Sequence, residues 1–287
     1  MSPSKSEQEF EAVLEHLKRD RAFDFTGYKR PSLARRIEKR MRVVKVGSFG
    51  EYVGYLETHP DEFSALFDTI LINVTSFFRD EESWVVVADK VIPDLIARGK
   101  AGQIRVWSAG CATGEEAYSL AMLFADALGE DGLEERVKIY ATDVDERALN
   151  KARSATYAER EVSHVPTRQV KAYFERAGTK YTVRAALRRC VSFTKHDLLS
   201  DAPISRVDLL ACRNTLMYLN SETQRRTFSR LHSAINDGGI LFLGRAETLL
   251  ARASTFEPID LKRRISKKLP RDSAARILQR DLMSVPS

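Results

Sequence analysis

The sequence predicts an α/β protein: an all-α N-terminal region, then a domain built on a parallel sheet with helices on both faces. Two patterns predict it. Up to residue 72, apolar residues recur at helical spacing; from about residue 100, short apolar runs alternate with apolar-periodic helices and end in glycine-bearing or acidic turns. Composition agrees, since 43% hydrophobic and 30% charged residues are ordinary for a globular chain, and 287 residues suffice for two domains. Collagen-like, mucin-like and wholly disordered classes are excluded. No stretch approaches the ~18–20 apolar residues of a membrane span, and the polar, acidic start predicts no secretory signal. The three cysteines, Cys111, Cys190 and Cys212, form neither a CxxC pair nor a disulfide ladder. A cytoplasmic protein with no membrane insertion is expected.

The elements follow in order. Phe10, Val13, Leu14 and Leu17 mark a first amphipathic helix. Leu33, Ile37 and Met41 mark a second, with Ser32 as its expected N-cap after Pro31 and Gly47 as its close. Phe49, Tyr52, Val53 and Leu56 give a third, ended by His59-Pro60, and Phe63, Leu66, Phe67, Ile70 and Leu71 a fourth. Strands are expected at 104–107, 137–141, 207–211 and 240–243, and helices at 117–128 and 146–153. Runs at 181–183 and 190–193 read as strands of a small antiparallel insert, and 256–265 as a final strand. The expected division is a helical domain over 1–72, an α/β domain over 73–270 with a β-subdomain at about 178–194, and a tail over 271–287 that is helical or loose.

Charge is informative by position. The net +6 conceals two basic runs, 29–45 and 262–280, each opposed by a single acid. Such runs face nucleic acid, anionic membrane or an acidic protein, or are simply solvated.

The stretch 105–119 reads as strand, turn and helix, with Gly110 and Gly114 allowing tight turning and close ligand approach. It is neither a dinucleotide GxGxxG nor a P-loop. Glu115 and Glu116 follow the turn, suit a helix N-terminus and repel phosphate, so a cationic ligand with free hydroxyls fits better. S-adenosylmethionine has an amino group, a sulfonium and ribose hydroxyls; the competing reading is a plain capping turn. Asp143, at the end of the second strand, is placed to hold ribose hydroxyls, with Asp145 capping the next helix. Asp197 and Leu198 stand at another strand end, where they suit an adenine edge and face or form an ordinary turn. Arg213, Asn214 and Tyr218 cluster past a buried strand, where they are costly to hide unless paired, which favours a site. By composition alone 71–80 is a buried linker.

Together these stretches resemble a known family. Asn73-Val-Thr75-Ser-Phe-Phe-Arg79, Trp107-Ser-Ala-Gly-Cys-Ala-Thr-Gly-Glu-Glu116, Ala141-Thr-Asp143-Val-Asp and Cys212-Arg213-Asn214 with Tyr218 are similar, in order, to the motifs of the chemotaxis receptor methyltransferases, the CheR family. The resemblance covers roughly residues 6 to 268. It implies a helical N-terminal domain, a Rossmann-like methyltransferase domain and a small antiparallel β-subdomain inserted in it. It implies methyl transfer from S-adenosylmethionine to glutamate side chains on chemoreceptor cytoplasmic helices, leaving S-adenosylhomocysteine. Asn73, Thr75, Arg79, Gly110, Glu116, Asp143, Asp197, Leu198, Arg213 and Asn214 are the implied cofactor contacts, with Arg79 and Tyr218 catalytic. Arg36, Lys39, Arg40 and Arg42 are the implied receptor-docking residues. Ala117 stands where many relatives have proline, and the segment 177–183 is short with no glycine-rich loop, so docking without a C-terminal pentapeptide tether is expected.

An ionised glutamate is already a nucleophile, so an in-line displacement needs no strong base. The five histidines are scattered and read as structural, and no metal cluster is visible. Catalysis is then expected from orientation in a desolvated site, worth about 7–11 kcal/mol, with Arg79 orienting the acceptor carboxylate and Tyr218 the donor methyl. The expected partners are receptor helices, with no nucleic acid, and the chain is expected to be a monomer. The alternatives are a nucleic-acid methyltransferase, against which the absence of a proline pair after Asn214 speaks, and a non-catalytic S-adenosylmethionine-binding module.

Overall fold

The structure is a computed structural model that describes residues 4–21, 23–71, 73–99, 102–247 and 255–270; the expected tail beyond Pro270 lies outside the described residues. The chain divides into two units, residues 1–72 with 218–224, and 73–217 with 225–287.

The first unit holds helices α1 (Lys5–Arg21), α2 (Arg30–Val44), α3 (Phe49–Thr58) and α4 (Pro60–Ile70). Their apolar stripes meet in a core in which Val13, Leu17, Leu33, Ile37, Tyr52 and Leu66 are fully buried. The start of α2 differs from expectation. Helix begins at Arg30, Pro31 occupies its first turn, and no side chain caps it. Proline's fixed φ suits that position, and its missing N–H removes one donor that would need a cap. The helix ends before Gly47, because Lys45 adopts the left-handed conformation (φ 60) and the Val46 N–H closes on the Met41 carbonyl at 2.9 Å. Tyr218–Gln224 joins this unit: the Lys29 N–H donates to the Tyr218 carbonyl at 2.9 Å and the Asn220 N–H to the Gly27 carbonyl at 2.9 Å.

The second unit contains β1 (Ile104–Ala109), β2 (Val137–Asp143), β3 (Thr156–Ala158), β4 (Phe174–Ala177), β5 (Lys180–Val183), β6 (Val191–Lys195), β7 (Val207–Cys212), β8 (Ile235–Leu243), β9 (Phe256–Asp260) and β10 (Ile265–Lys268). Its helices include α5 (Glu81–Val86), α6 (Ile92–Arg98), α7 (Glu115–Arg136), α8 (Glu146–Ser154), α9 (Thr167–Tyr173) and α10 (Ala185–Cys190). The large sheet runs β6-β2-β1-β7-β8-β10-β9, parallel from β6 through β8, with β10 and β9 antiparallel at one edge. Covered on both faces, the central strands are nearly continuously apolar. This is a Rossmann-like α/β fold preceded by an all-α unit.

Four expectations are corrected. The run 190–193 is not in the antiparallel insert: β6 extends the large sheet, parallel to β2, with Ile139 opposite Val191. The small sheet is β3-β5-β4, drawn from 156–183 instead of 178–194. A short half-buried run at a sheet edge has the same residue pattern as a hairpin strand, so its partner is not written locally. The expected strand 256–265 is a hairpin, β9 and β10, turning where Arg264 has φ 56. Helix α7 also outruns its expected end, changing direction at Gly129 (φ 74).

Candidate active site

The strand order reverses at β1: from there the chain runs outward through β2 and later returns on the other side with β7. Ligands of open α/β sheets sit beyond the carboxyl ends of the strands at such a point. Parallel pairing brings the ends of β6, β2, β1 and β7 to one edge, so the residues that follow them line it in the order Asp197, Asp143, Gly110, Arg213.

The turn after β1 is made by backbone geometry. Gly110 has φ 77, and a Cβ there would lie 2.4 Å from the Thr215 hydroxyl; Gly114 has φ 94, and a Cβ would lie 2.8 Å from Ala152. Neither position admits a side chain. The Gly110 and Cys111 N–H groups donate to the Thr142 carbonyl at 2.8 and 2.9 Å. Helix α7 then opens with two buried acids. Glu115 accepts from the Thr113 hydroxyl at 2.7 Å. Glu116 accepts from the Ser108 hydroxyl at 2.7 Å and faces Arg213 at 3.6 Å. Burial pushes the Glu116 carboxyl above its usual range, with Arg213 opposing.

Asp143 accepts from the Ala112 N–H at 2.8 Å and the Asp145 N–H at 2.9 Å, which aims its carboxylate across the turn. Burial raises its pKa against those donors. Asp145 caps α8 as expected, through the Arg147 and Ala148 N–H groups, and its other oxygen accepts from the Asn73 amide at 2.5 Å. Asn73 is thereby tied to the turn that follows β2. Asp197 spends its carboxylate in its own turn, on the Leu199 N–H at 2.8 Å and the Ser200 hydroxyl at 2.9 Å, with Leu198 half-buried beside it.

Residues 77–80 form a tight turn. Phe78 (φ 49) and Asp80 (φ 61) are both left-handed, and Arg79 lies between them. For side chains other than glycine this costs roughly 1–2 kcal/mol per residue. Packing holds the turn: Phe77 meets Tyr157 edge-on at 4.8 Å, Phe78 meets Trp84 at 5.7 Å, and the Phe78 N–H donates to the Ser119 hydroxyl at 3.0 Å. The Arg79 guanidinium donates from Nη1 to the Val74 carbonyl at 2.7 Å, folding the segment that carries half-buried Thr75 back on itself. The Arg79 carbonyl accepts from Trp84 Nε1 at 2.8 Å and from Arg213 Nη2 at 2.7 Å. Arg213 also binds Asp80 at 2.9 Å. Its side chain is only 3% exposed, and burial lowers its pKa against the pull of Glu116 and Asp80.

Sequence reasoning missed two acids here. Asp80 completes the Arg213 pair, and buried Glu247 faces the backbone N–H groups of Asn214 (φ 58) and Thr215. The signal for Asp80 was available: a buried arginine demands a counter-charge. Among the described residues no group of acids, histidines and cysteines has the geometry of a metal site.

The other assigned residues are in the helical unit. Tyr218 is half-buried there, with the Arg36 guanidinium over its ring at 5.0 Å. Arg36 also donates to the Ile70 carbonyl at 2.5 Å, and Arg40 is bidentate with buried Glu62. Lys39 and Arg42 are exposed, as is Arg35, which the sequence reading passed over.

Known proteins fit this geometry. Residues 73–265 match the model of the CheR methyltransferase SAM-binding domain, and residues 8–71 that of the CheR methyltransferase all-alpha domain. The chain belongs to the CheR methyltransferase family. It is 34% identical over 237 residues to the chemotaxis protein methyltransferase of Listeria innocua, covering 82% of this chain and 87% of that one. The chemotaxis protein methyltransferase of Escherichia coli is 33% identical, covering 77% of each chain. An uncharacterized 104.1 kDa protein of Rhodobacter capsulatus is 41% identical over 93% of this chain, which spans 28% of that relative's length. The chain is thus a class I S-adenosylmethionine-dependent methyltransferase. Its residues fit that donor: Asp143 offers a carboxylate for two hydroxyls, and the acidic Gly110–Glu116 turn suits a cationic ligand and repels a phosphorylated one. Among the described residues no helix is long and apolar enough to cross a membrane.

Proposed function

We propose that this protein methylates glutamate side chains on the cytoplasmic helices of chemoreceptors, acting in the cytoplasm as a monomer. The observation that carries this reading is Arg79, a guanidinium set on a strained turn whose carbonyl is fixed by Trp84 and Arg213. An arginine held that firmly serves a partner of fixed shape, and its planar fork matches a carboxylate.

S-adenosylmethionine, when bound, supplies a methyl group activated by its sulfonium. Asp143 holds its ribose hydroxyls, Asn73, Thr75 and the Gly110 turn line its path, Glu116 takes the amino-acid end, and Leu198 with Asp197 borders the adenine. Arg213 and Asn214 close the edge after β7, and Tyr218 is the residue that the family resemblance assigns to the donor methyl. Arg79 orients the acceptor carboxylate, which needs no base because it is ionised at neutral pH. Lys39 and Arg42 steer acidic receptor helices; Arg36 and Arg40 contribute through the packing that shapes α2. The β4–β5 hairpin turns through Gly178 and Thr179 alone, which supports docking without a pentapeptide tether.

The test is incubation of the full chain with labelled S-adenosylmethionine and receptor cytoplasmic fragments, followed by peptide mapping. Label should appear as base-labile ester on glutamate. Label on nucleic acid, or donor binding without transfer to any receptor, would replace this reading.

A further inference from the structure

The turn that carries Arg79 is clamped by the Arg213 side chain through a residue, Asp80, with no assigned part in methyl transfer. Arg213 Nη2 donates both to the Arg79 carbonyl at 2.7 Å and to Asp80 Oδ2 at 2.9 Å. On its far side Arg213 faces Glu116 at 3.6 Å, which is itself fixed by the Ser108 hydroxyl. The guanidinium lies against two aromatic rings that meet each other edge-on, 5.3 Å from Trp84 and 4.6 Å from Phe242. It therefore bridges helix α7 and the strained turn. Glu116 and Asp80 pull it in different directions, and its position sets where the Arg79 carbonyl lies. Asp80 also faces Arg245, at 3.7 Å.

We propose that Asp80 is a positioning residue for methyl transfer: it holds Arg213 against the Arg79 main chain, and so holds the Arg79 guanidinium in line with the acceptor. This rests on the reading of Arg79 as the acceptor-orienting group. Without Asp80, Arg213 loses its nearest carboxylate and relaxes toward Glu116. Trp84 Nε1 still binds the Arg79 carbonyl, so the turn loses its aim before it loses its fold. Misplacement on the scale of 1 Å costs up to about 100-fold in turnover.

The experiment compares Asp80→Ala, Asp80→Asn and Asp80→Glu in the full chain, alone and combined with Arg79→Ala. Turnover is measured on receptor fragments, and donor affinity by calorimetry. Asp80→Ala should lower kcat about 10- to 100-fold while the donor Kd moves less than about threefold. Asp80→Glu should recover most of the loss. In the Arg79→Ala background, Asp80→Ala should cost nothing further, because it acts through a side chain already gone. Full activity of Asp80→Ala, a parallel collapse of donor affinity that glutamate does not rescue, or an undiminished further loss in the Arg79→Ala background overturns the proposal. Unchanged turnover in Arg79→Ala alone overturns the underlying reading instead. If the alanine variant does not fold, the isosteric Asp80→Asn carries the same readouts.

Discussion

Each unit sets an arginine against acid, half-buried in the helical unit and fully buried in the catalytic one, and the two do it differently. In the helical unit Arg40 meets Glu62 through two hydrogen bonds, at 2.9 and 2.5 Å, and the Tyr52 hydroxyl donates to the same carboxylate at 2.6 Å. All three residues stand on regular helices. In the catalytic unit Arg213 divides itself between two carboxylates and a main-chain carbonyl, leaves its Nε without a hydrogen-bond partner, and serves a turn with two left-handed residues. The first arrangement closes on itself and needs nothing more. The second leaves a donor over and rests on a strained turn, the combination on which the proposed reading of this edge as a ligand site draws.

The largest test of that contrast is Arg79→Ala. With the acceptor's oriented donor gone, kcat should fall about 10²- to 10³-fold, as for loss of one preorganised transition-state contact. Donor affinity measured by calorimetry should stay within a few-fold. Wild-type turnover would show that the strained turn serves something else.

Next is Arg40→Ala, which strands a carboxylate whose side chain is 6% exposed. Breaking such a pair costs about 3 kcal/mol, read as a shift in the denaturation midpoint of the helical unit. Replacing both partners, Arg40→Met with Glu62→Leu, should recover most of it. Should Arg40→Ala prove neutral in stability but reduce receptor methylation, Arg40 would belong with the docking residues after all.

That prediction touches what was legible in the sequence. The helices of the first unit and the central strands announce themselves by period, because each buries one stripe or two faces regardless of partner. The edge strand β6 and the small sheet did not, since the choice of partner for a short half-buried run depends on residues far along the chain. The acids of the site were readable as phosphate-repelling, hence Glu116 and Asp143. For Asp80 the sequence signalled only that a buried arginine demands some counter-charge; which acid supplies it was not written locally, because the partner, Arg213, is 133 residues away. The four basic docking residues could have been sorted beforehand. Positions 36 and 40 flank the buried stripe of Leu33, Ile37 and Met41, whereas 39 and 42 point off it, and the structure spends the first pair internally.

A smaller effect tests that sorting. Lys39→Glu with Arg42→Glu should lower kcat/KM on receptor fragments about 10-fold at low salt and flatten its salt dependence, without shifting the denaturation midpoint. An unchanged salt slope would move docking to another face.

The smallest effect is the most discriminating, because its sign differs between the two units. Burial would raise the Glu62 carboxyl, but the hydrogen bonds from Arg40 and Tyr52 outweigh it and hold the pKa below the ordinary 4.5. Glu62 therefore contributes stability that is present above that value and lost as pH falls through the folded pKa. At Glu116 burial prevails over Arg213 and the pKa lies above 4.5. Its contribution is full below 4.5 and declines as pH rises through the folded value. Both tryptophans, Trp84 and Trp107, lie in the catalytic unit, so their fluorescence reports that unit alone, and amide exchange in α4 reports the other. Subtracting Glu62→Gln from wild type should leave a difference that shrinks toward acid; subtracting Glu116→Gln should leave one that shrinks toward neutrality. Parallel slopes would mean that the two arginines do the same work, and that an open, strained arrangement is no better a sign of function than a closed one.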